Sequence, residues 1–582
     1  MALAENTVRH LLSLRTPEGV WVGRLSSSAL STATAVIALS ANGADEALVR
    51  RGREWLAQYQ NADGGWGDTV LSVSNISTTA LCWAALPEGP SAARAESWLA
   101  GIAGSTAPDV LAKGIADRYG KDRTFSVPIL TALIVGGRLG PSREAWRKVP
   151  QLPFELAACP HQWFQWLRLP VVSYALPALI AIGLARHRAW PSANPAAAVL
   201  RNLLTTRVMR ILQRIQPSCG GFLEATPLTS FVAMSLISAG MRSSEVVVNC
   251  LDFLRASIRE DGSWPIDTNL STWLTTLAIN ALIEGESGIL TPGDREHLTD
   301  WLLVQQFTME HPYTHAAPGA WSWTNLPGAV PDADDTAGAL IALKRLGVRS
   351  ERVIDAAHRG VAWLLNLQNR DGGMPTFCRG WGHLPFDRSG ADLTAHALRA
   401  WMSWLPDLAE SHARRVRQAI PKAVEYLKRV QNADGSWAPL WFGNQHAPLE
   451  QNRTFGTARV VMALREIDGA APQVSAAVRW LVEAQNTDGG WGGARGVDSS
   501  VEETSLALAA IAAVPHDSFE ANLKLGFSWL AHRTENGNVF PPTPIGFYFA
   551  SLWYFEELYP VLFAASAVQN YFGRTSKRAS SI

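Results

Sequence analysis

Three carboxylates lie within four positions, immediately before an apolar run with helical periodicity: Asp332, Asp334 and Asp335 in PDADDTAGALIALKRLG. Aspartate is favoured in the first turn of a helix, where unpaired N–H groups carry partial positive charge, and Gly347 is a typical helix stop. Alternatively, carboxylates crowded in a poorly solvated site share protons, because they cannot all ionise there. The pattern predicts a helix that begins at the acids, and it leaves both interpretations open.

A second pattern, repeated along the chain, must supply the elements that position these acids. An aromatic–aliphatic pair is followed by Gln, a polar residue or two and Asp-Gly, with Trp after it in most copies. The clear copies lie at 53–67, 362–375, 425–437 and 479–492, and weaker ones at 252–264 and 300–321. Asp-Gly predicts a turn that ends a helix, and the Gln amide can satisfy free helix-end groups beneath the Trp ring. Helix pairs repeated in this way stack and can close into an α/α barrel, so the sequence predicts an all-α fold.

Length and composition narrow the possible classes. A chain of 582 residues exceeds one ordinary core, which predicts two domains. With 51 basic and 51 acidic residues, the chain has no net charge with which to bind nucleic acid. The 24 Trp against 9 Tyr indicate a repeated structural use of Trp, a ligand-facing use, or both. The cysteines lack metal-ligand spacing and are expected to be free thiols in a reducing compartment. They are Cys82, Cys159, Cys219, Cys250 and Cys378.

One segment has a composition that suits a membrane surface. Residues 169–185 carry no charge, but they contain two prolines and are shorter than the roughly 20 residues that a spanning helix needs. Trp163, Phe164 and Trp166 lie just before them, and aromatic residues beside an apolar stretch suit a segment that dips into one leaflet. A buried core helix is the alternative.

The two motifs together resemble those of a known family. The repeat is similar to the Gln-Trp motif of the triterpene cyclases, and PDADDTA resembles their acidic Asp-x-Asp-Asp-Thr-Ala motif. The similarity to the squalene–hopene cyclase family extends from GVWVGRLSSSALSTATAVIAL near the start to IGFYFASLWYFEELYP near the end. It implies two α/α barrels (toroids) with a cavity between them, one formed by 20–268 and the other by 1–19 and 269–582. It also implies a peripheral, monotopic protein on the cytoplasmic face of the membrane that dips in near 160–185, and it is compatible with a homodimer.

The resemblance also implies roles for individual residues. Enzymes of this family protonate an alkene with a strong acid, and the carbocation then runs through ring closures. Asp334 is the implied proton donor, Asp332 and Asp335 shape its hydrogen bonds and hold compensating negative charge, and His396 in SGADLTAHALRAW is its implied partner. A histidine that merely serves the core is the alternative for His396.

Aromatic side chains are expected to line the cavity, because their faces stabilise cations without trapping them. The implied residues are Trp273, Trp323, Phe377, Trp441, Phe455, Phe547, Tyr554 and Tyr174. Phe455 stands where the family often has Tyr, and Tyr174 where Trp is common. SSALSTATAV and NISTTALCW carry Ser and Thr where hopene-forming relatives place acids. The initiating end of the cavity therefore matches the family, whereas the terminating end departs from it.

The predicted function is proton-initiated cyclisation of a linear polyprene, with squalene as substrate and a hopene-like polycycle as product. A class II cyclase of another prenoid (C20–C35) and a non-catalytic lipid-binding toroid are the alternatives. Neither cofactor nor metal is predicted: His311 and His315 have helical spacing but lie in a proline-containing insert without a third ligand. Protein prenyltransferase subunits share the barrel, but they need a zinc site of Asp, Cys and His that the cysteines here do not suggest.

Overall fold

The computed structural model describes residues 2–120, 123–140, 142–168, 171–283, 288–514, 517–547 and 551–580. These residues are mostly helical with little sheet, so the all-α prediction is confirmed. The α-helices are α1 Ala2–Ser13, α2 Ala29–Asn42, α3 Glu46–Gln58, α4 Ile76–Ala85, α5 Pro90–Ala103, α6 Pro108–Tyr119, α7 Arg123–Val135, α8 Ser142–Ala145, α9 His161–Trp166, α10 Val171–Ala189, α11 Pro195–Ile215, α12 Thr226–Ser238, α13 Glu245–Ser257, α14 Ser271–Leu282, α15 Pro292–Val304, α16 Ala333–Leu346, α17 Glu351–Leu367, α18 Ala391–Trp404, α19 Glu410–Arg429, α20 Arg453–Leu464, α21 Ala471–Glu483, α22 Val501–Ala512, α23 Glu520–Arg533 and α24 Tyr559–Ser580.

Short strands and 3-10 turns connect these helices. The strands are β1 Ser27–Ser28, β2 Trp264–Pro265, β3 Phe442–Gly443, β4 Ile545–Phe547 and β5 Leu552–Tyr554. β1 pairs with β2, and β3, β4 and β5 form one small antiparallel sheet. The 3-10 turns are Trp146–Lys148, Phe154–Ala158, Phe222–Glu224, Leu405–Asp407, Pro448–Glu450 and Asp517–Phe519.

The helices of the second half of the chain form a closed double layer. α14, α16, α18, α20, α22 and α24 contact one another in succession, and α24 returns to α14, which completes an inner ring. α15, α17, α19, α21 and α23 pack outside this ring, and α1 packs against α24. Every residue of α22 is buried, whereas α17 buries one face, so the inner helices need apolar residues all round and the outer ones do not.

The first half of the chain forms a second ring. α2, α4, α7, α10 and α12 contact one another in succession, and α12 returns to α2, with α3, α5, α6, α11 and α13 packed against them. Each half has its own large hydrophobic cluster, and the side chains of Trp323 and Leu552 pack against both. Two α/α barrels are therefore confirmed as the architecture, and the boundaries at residues 20 and 268 stay a prediction.

The repeated Gln and Trp residues join neighbouring outer helices. The Gln431 amide donates to Gly435 O at 2.9 Å and to Gln473 O at 3.0 Å, and Gln473 lies on the next outer helix, α21. The Trp437 indole donates to Leu427 O at 2.8 Å. Gln368 and Gln485 make the same pair of bonds in their repeats, so each repeat fastens one outer helix to the next.

The apolar segment near 160–185 has two different parts. α10 contributes Ile180 and Ile182 to the core of the first ring, as the buried-helix interpretation predicts. α9 instead presents Trp163 and Trp166 to solvent, with 60% and 83% of their surfaces exposed. Residues 169–170 lie outside the described part of the chain. Among the helices that the structure describes, none has the length and apolarity needed to cross a bilayer.

Candidate active site

The three acids lie where α16 begins. Asp332 is the N-cap, and its carboxylate accepts the backbone N–H of Asp335 at 2.9 Å. The helix ends at Gly347, whose φ of 73° is the left-handed conformation that glycine adopts without strain. The helix predicted from the sequence is therefore present, and the capping interpretation holds for Asp332.

Asp334 points away from the cap and pairs with a histidine. Its Oδ1 lies 2.6 Å from Nδ1 of His396, which is carried by α18, the next helix of the inner ring. The Asp334 side chain is 22% exposed, whereas Asp332 and Asp335 are buried. The predicted partnership of Asp334 and His396 is thus present in the structure.

Asp332 and Asp335 share protons near neutral pH. Burial raises the pKa of Asp332 to about 7, and burial together with the charge of Asp332 raises the pKa of Asp335 well above its usual range. Among the described residues, neither Asp332 Oδ2 nor Asp335 Oδ1 has a hydrogen-bond partner. Burial lowers the pKa of His396, and the carboxylate of Asp334 opposes that shift. The proton-sharing interpretation therefore holds alongside the capping interpretation.

Asp332→Asn should stabilise the protein, and more so at alkaline pH. The pKa of Asp332 is about 7 in the folded state against an ordinary value of 3.8, so folding free energy is lost as pH rises between these values. Asparagine cannot ionise and caps a helix equally well. The gain in free energy of unfolding should grow by about 2 to 3 kcal/mol between pH 5 and pH 8. Urea denaturation at pH 5 and pH 8 measures the free energy of unfolding of the wild type and of the variant. Asp109→Asn, in the exposed first turn of α6, is the control. Equal gains at both values would contradict proton sharing by Asp332.

A fourth buried acid supports the site, and the sequence did not single it out. Asp392, in the first turn of α18, accepts the backbone N–H groups of Leu440 at 3.0 Å and Trp441 at 3.3 Å. Burial, and secondly the charge of Asp334, raises the pKa of Asp392 to about 6. Asp392 therefore fixes the segment that carries Trp441 close to the acids. Its position four residues before His396, on the same helix face, was the available signal.

Most of the predicted aromatic residues surround these acids. Trp273 meets His396 edge-on at 6.2 Å, and the carbonyl of Trp323 accepts the backbone N–H of Trp273 at 3.1 Å. The Trp441 indole donates to Thr376 Oγ1 at 2.7 Å, and its ring meets Phe547 edge-on at 4.6 Å.

Phe377 and Tyr554 join Trp273, Trp441 and Phe547 in one group of rings, which we call the aromatic wall. The Phe377 ring lies 5.8 Å from that of Trp441, and the Tyr554 ring 5.4 Å from that of Phe547. The hydroxyl groups of Tyr554 and Tyr559 are 3.1 Å apart, and Tyr559 was missed because an isolated Tyr carries no local signal.

Tyr174 and Phe455 occupy different settings. The Tyr174 hydroxyl donates to Phe377 O at 3.2 Å, and both side chains line a cavity of about 1150 Å³. Phe455 is only 1% exposed and stacks on Phe442 with ring centres 4.3 Å apart, so it packs in the core behind that ring. The structure therefore brings Phe442, rather than Phe455, next to Trp273, at 6.4 Å.

The two histidines of the 311–315 segment have separate environments. His311 Nε2 lies 3.0 Å from Ala329 O and its Nδ1 accepts the Thr314 N–H, which makes it a loop residue as predicted. His315 instead meets Glu310 and His161, with ligand atoms of all three within 4.8 Å of one another. His161 and Glu310 are therefore further candidate ligands for His315 that the sequence did not reveal, and His311 is not part of this cluster. The rings of His161 and His315 are parallel and 3.7 Å apart, so no ion can lie in both ring planes unless one ring rotates.

Comparisons with known proteins agree with this fold. The model of the squalene–hopene cyclase C-terminal domain matches residues 270–514, and that of the N-terminal domain matches 4–105. Squalene–hopene cyclase of Zymomonas mobilis is 23% identical over 92% of this chain and 89% of its own length. Enfumafungin synthase of Hormonema carpetanum is 25% identical over 94% of this chain but 46% of its own length. The chain thus spans less than half the length of several curated relatives that it matches.

A solved structure shares the fold. ent-Copalyl diphosphate synthase from Streptomyces platensis superposes with a TM-score of 0.57 at 18% identity, over 99% of both chains. The N- and C-terminal domain models match in order along one chain, and the acidic residues lie at the start of an inner-ring helix. The chain therefore belongs to the squalene–hopene cyclase family of class II terpene cyclases.

Proposed function

We propose that this protein catalyses proton-initiated cyclisation of a linear polyprene, with squalene as the first candidate substrate and a hopene-like triterpene as product. The observation that carries the proposal is the Asp334–His396 pair at 2.6 Å, enclosed among aromatic rings. A non-catalytic lipid-binding toroid has no need for an acid paired with a buried histidine, because burying such polar groups costs folding free energy.

The proposed first step is proton transfer from Asp334 to the terminal alkene of the substrate. The O–H bond of the carboxyl breaks, the alkene π electrons take the proton, and a tertiary cation forms. The Nδ1–H of His396 donates to Oδ1 of Asp334, which stabilises the carboxylate left behind. Burial raises the pKa of Asp332 and of Asp335, so near neutral pH they carry less negative charge than the resemblance implies, and they weaken the acid less than ordinary carboxylates would.

The aromatic wall would then carry the cation through the ring closures. Each desolvated ring face attracts a cation by about 2 kcal/mol or more, and it offers no lone pair that would trap it. Trp273 contacts His396 and stacks against Phe442, and Trp441 contacts both Phe377 and Phe547. This succession of faces fits a cation that moves away from its origin as rings form.

Incubation of detergent-solubilised protein with a panel of linear prenoids tests the proposal. The panel contains squalene, C20 to C35 polyprene hydrocarbons, and C20 to C35 polyprenyl diphosphates. The products of the diphosphates are treated with phosphatase before extraction. Gas chromatography–mass spectrometry separates cyclic isomers, which keep the substrate mass, from hydrated products. A cyclic product from squalene alone supports the squalene assignment, and one from another chain length reassigns the substrate. Binding of these lipids without any turnover would favour the non-catalytic toroid.

We further propose that the protein attaches to one face of a membrane through α9, on the cytoplasmic side and without crossing it. Exposed Trp163, Trp166 and Leu167 support the attachment, because large apolar side chains on a short helix partition into the lipid interface. A substrate dissolved in the bilayer would then reach the protein without entering water. The membrane face and a homodimer stay predictions.

Replacing both Trp163 and Trp166 with Ala should weaken vesicle binding at least about tenfold, since burying a large apolar side chain is worth about 1.5 kcal/mol or more. Co-sedimentation with phosphatidylglycerol–phosphatidylethanolamine vesicles measures it. The double variant Ile102→Ala and Leu525→Ala removes two apolar side chains elsewhere that are 61% and 58% exposed, and it should bind as the wild type does. Equal loss in both double variants would refute a specific role for α9.

A further inference from the structure

The interior contains another acid, remote in sequence from the acidic motif. Asp267 follows β2 and forms an isolated antiparallel bridge with Ala225, while Ile266 O accepts the N–H of Thr226 at 3.1 Å. Protein surrounds Asp267 on all sides, yet the residue keeps some accessible surface. That combination is expected for a side chain that faces an internal cavity.

The carboxyl group of Asp267 is incompletely bonded. Its Oδ1 is buried and has no hydrogen-bond partner in the described part of the chain. The Trp323 indole N–H also lacks a partner of ordinary hydrogen-bond geometry there, although the Thr268 backbone N–H and this indole are both close enough to Asp267 to lower the pKa of its carboxyl. Buried polar atoms are nearly always bonded, so an unpaired carboxyl oxygen beside a cavity indicates a ligand or a chemical role.

The neighbours of Asp267 increase its affinity for a proton. Glu224 accepts the Gly328 N–H at 2.7 Å and the Thr268 hydroxyl at 2.9 Å, which fixes its carboxylate beside Asp267. Burial, followed by the charge of Glu224, raises the pKa of Asp267 well above its usual range. Glu224 and Tyr554 are the titratable groups that interact with Asp267 among the described residues.

Two neighbours, Tyr554 and Trp323, connect Asp267 to the acidic motif. Tyr554 is buried and interacts electrostatically with the carboxyl groups of both Asp267 and Asp335. Trp323, beside Asp267, is hydrogen-bonded through its carbonyl to Trp273, which in turn contacts His396. Asp334 is thus paired with His396, whereas Oδ1 of Asp267 has no partner among the described residues.

We propose that Asp267 ends the cascade by accepting the proton that the last carbocation releases. This inference rests on the proposed cyclase function. A C–H bond beside the cationic carbon breaks, its electron pair forms the new alkene, and the proton binds to Asp267 Oδ1. If water adds to the cation instead, Asp267 takes the proton from the water O–H. Asp267 later releases the proton to solvent and Asp334 takes one up, so that the reaction consumes no proton.

The electrostatics favour this role over a structural one. A buried carboxylate without a bonded cation is a strong base when ionised, and a carbocation in the cavity favours the ionised form. Asp334, paired with His396, instead donates a proton to the substrate. Two acids in different surroundings can thus donate and accept protons within one cavity.

Asp267→Asn should change the products rather than stop the first step. Asparagine keeps the shape but cannot accept a proton, so the share of the wild-type main product should fall at least about tenfold against other isomers and hydrates. In the wild type that share should rise with pH as Asp267 ionises, and in the variant it should not. Glu502→Gln, at a buried acid bonded to Thr543, serves as the control. Wild-type product ratios and pH response in Asp267→Asn would overturn the proposal.

A binding measurement tests the same site without turnover. N,N-dimethyldodecylamine is protonated at neutral pH and imitates a carbocation on a chain, and quenching of Trp fluorescence reports its binding. Its affinity should fall about tenfold in Asp267→Asn, as expected for loss of one charge partner of a desolvated cation, and stay unchanged in Glu502→Gln. Equal affinity in all three proteins would refute a cation-facing Asp267. If no prenoid is cyclised but this difference appears, the proposed function fails while the cation site stands.

Discussion

Asp334→Asn should abolish cyclisation, with kcat lowered by about 10⁴-fold, the upper range for loss of a positioned general acid. An amide cannot protonate an alkene. Substrate binding should persist, because the aromatic wall is untouched. Gas chromatography–mass spectrometry of extracts gives the rate, and fluorescence quenching gives the affinity.

The matched control for this variant is Asp387→Asn. Asp387 is buried, and its carboxylate accepts hydrogen bonds from the backbone N–H groups of Gly382 and Leu384. That variant should lose stability and keep its rate per folded molecule. If Asp334→Asn retained more than about a hundredth of the wild-type rate, a different group would have to be the acid.

His396→Ala should lower kcat by about 10²-fold and leave KM nearly unchanged. His396 contacts the acid rather than the substrate, so its loss removes the hydrogen bond that stabilises the Asp334 carboxylate after proton transfer. The effect should appear in the chemical step, which single-turnover measurements isolate from product release.

His187→Ala is the control for this second prediction. His187 is buried in α10, and its Nε2 lies 3.0 Å from Asn202 Oδ1. His187→Ala therefore also removes a buried, hydrogen-bonded imidazole, but from the ring of the first half of the chain. It should lower the melting temperature without lowering kcat. A His396→Ala protein with wild-type kcat would assign this histidine to the core, the alternative that its sequence position allowed.

The features that the sequence predicted well are local. α16 is determined by its own residues, from the Asp332 cap to the Gly347 stop, and the repeats contain the Gln and Trp that fasten them. Asp334 and His396 could be paired only through the resemblance to the family, because 62 residues separate them.

The features that were missed depend on contacts between distant segments. Asp267 meets Glu224 only because a bridge joins Asp267 to Ala225, and neither acid has a motif around it. Likewise, Phe442 and Phe455 are both plausible cavity residues by composition. Only their stacking decides which ring lies in front, and stacking order is a property of packing that no spacing encodes.

The contact between α1 and α24 has a consequence for biosynthesis. About 545 residues separate Ser13 from Tyr559, yet these two helices pack together, and α24 also completes the inner ring by meeting α14. At about 5 to 20 residues per second, a ribosome needs about 30 to 110 s to produce the second helix after the first. The ring of the first half can close during that interval, whereas α1 must wait with its apolar face uncovered. Chaperones that recognise nascent apolar helices would therefore have their longest opportunity at α1.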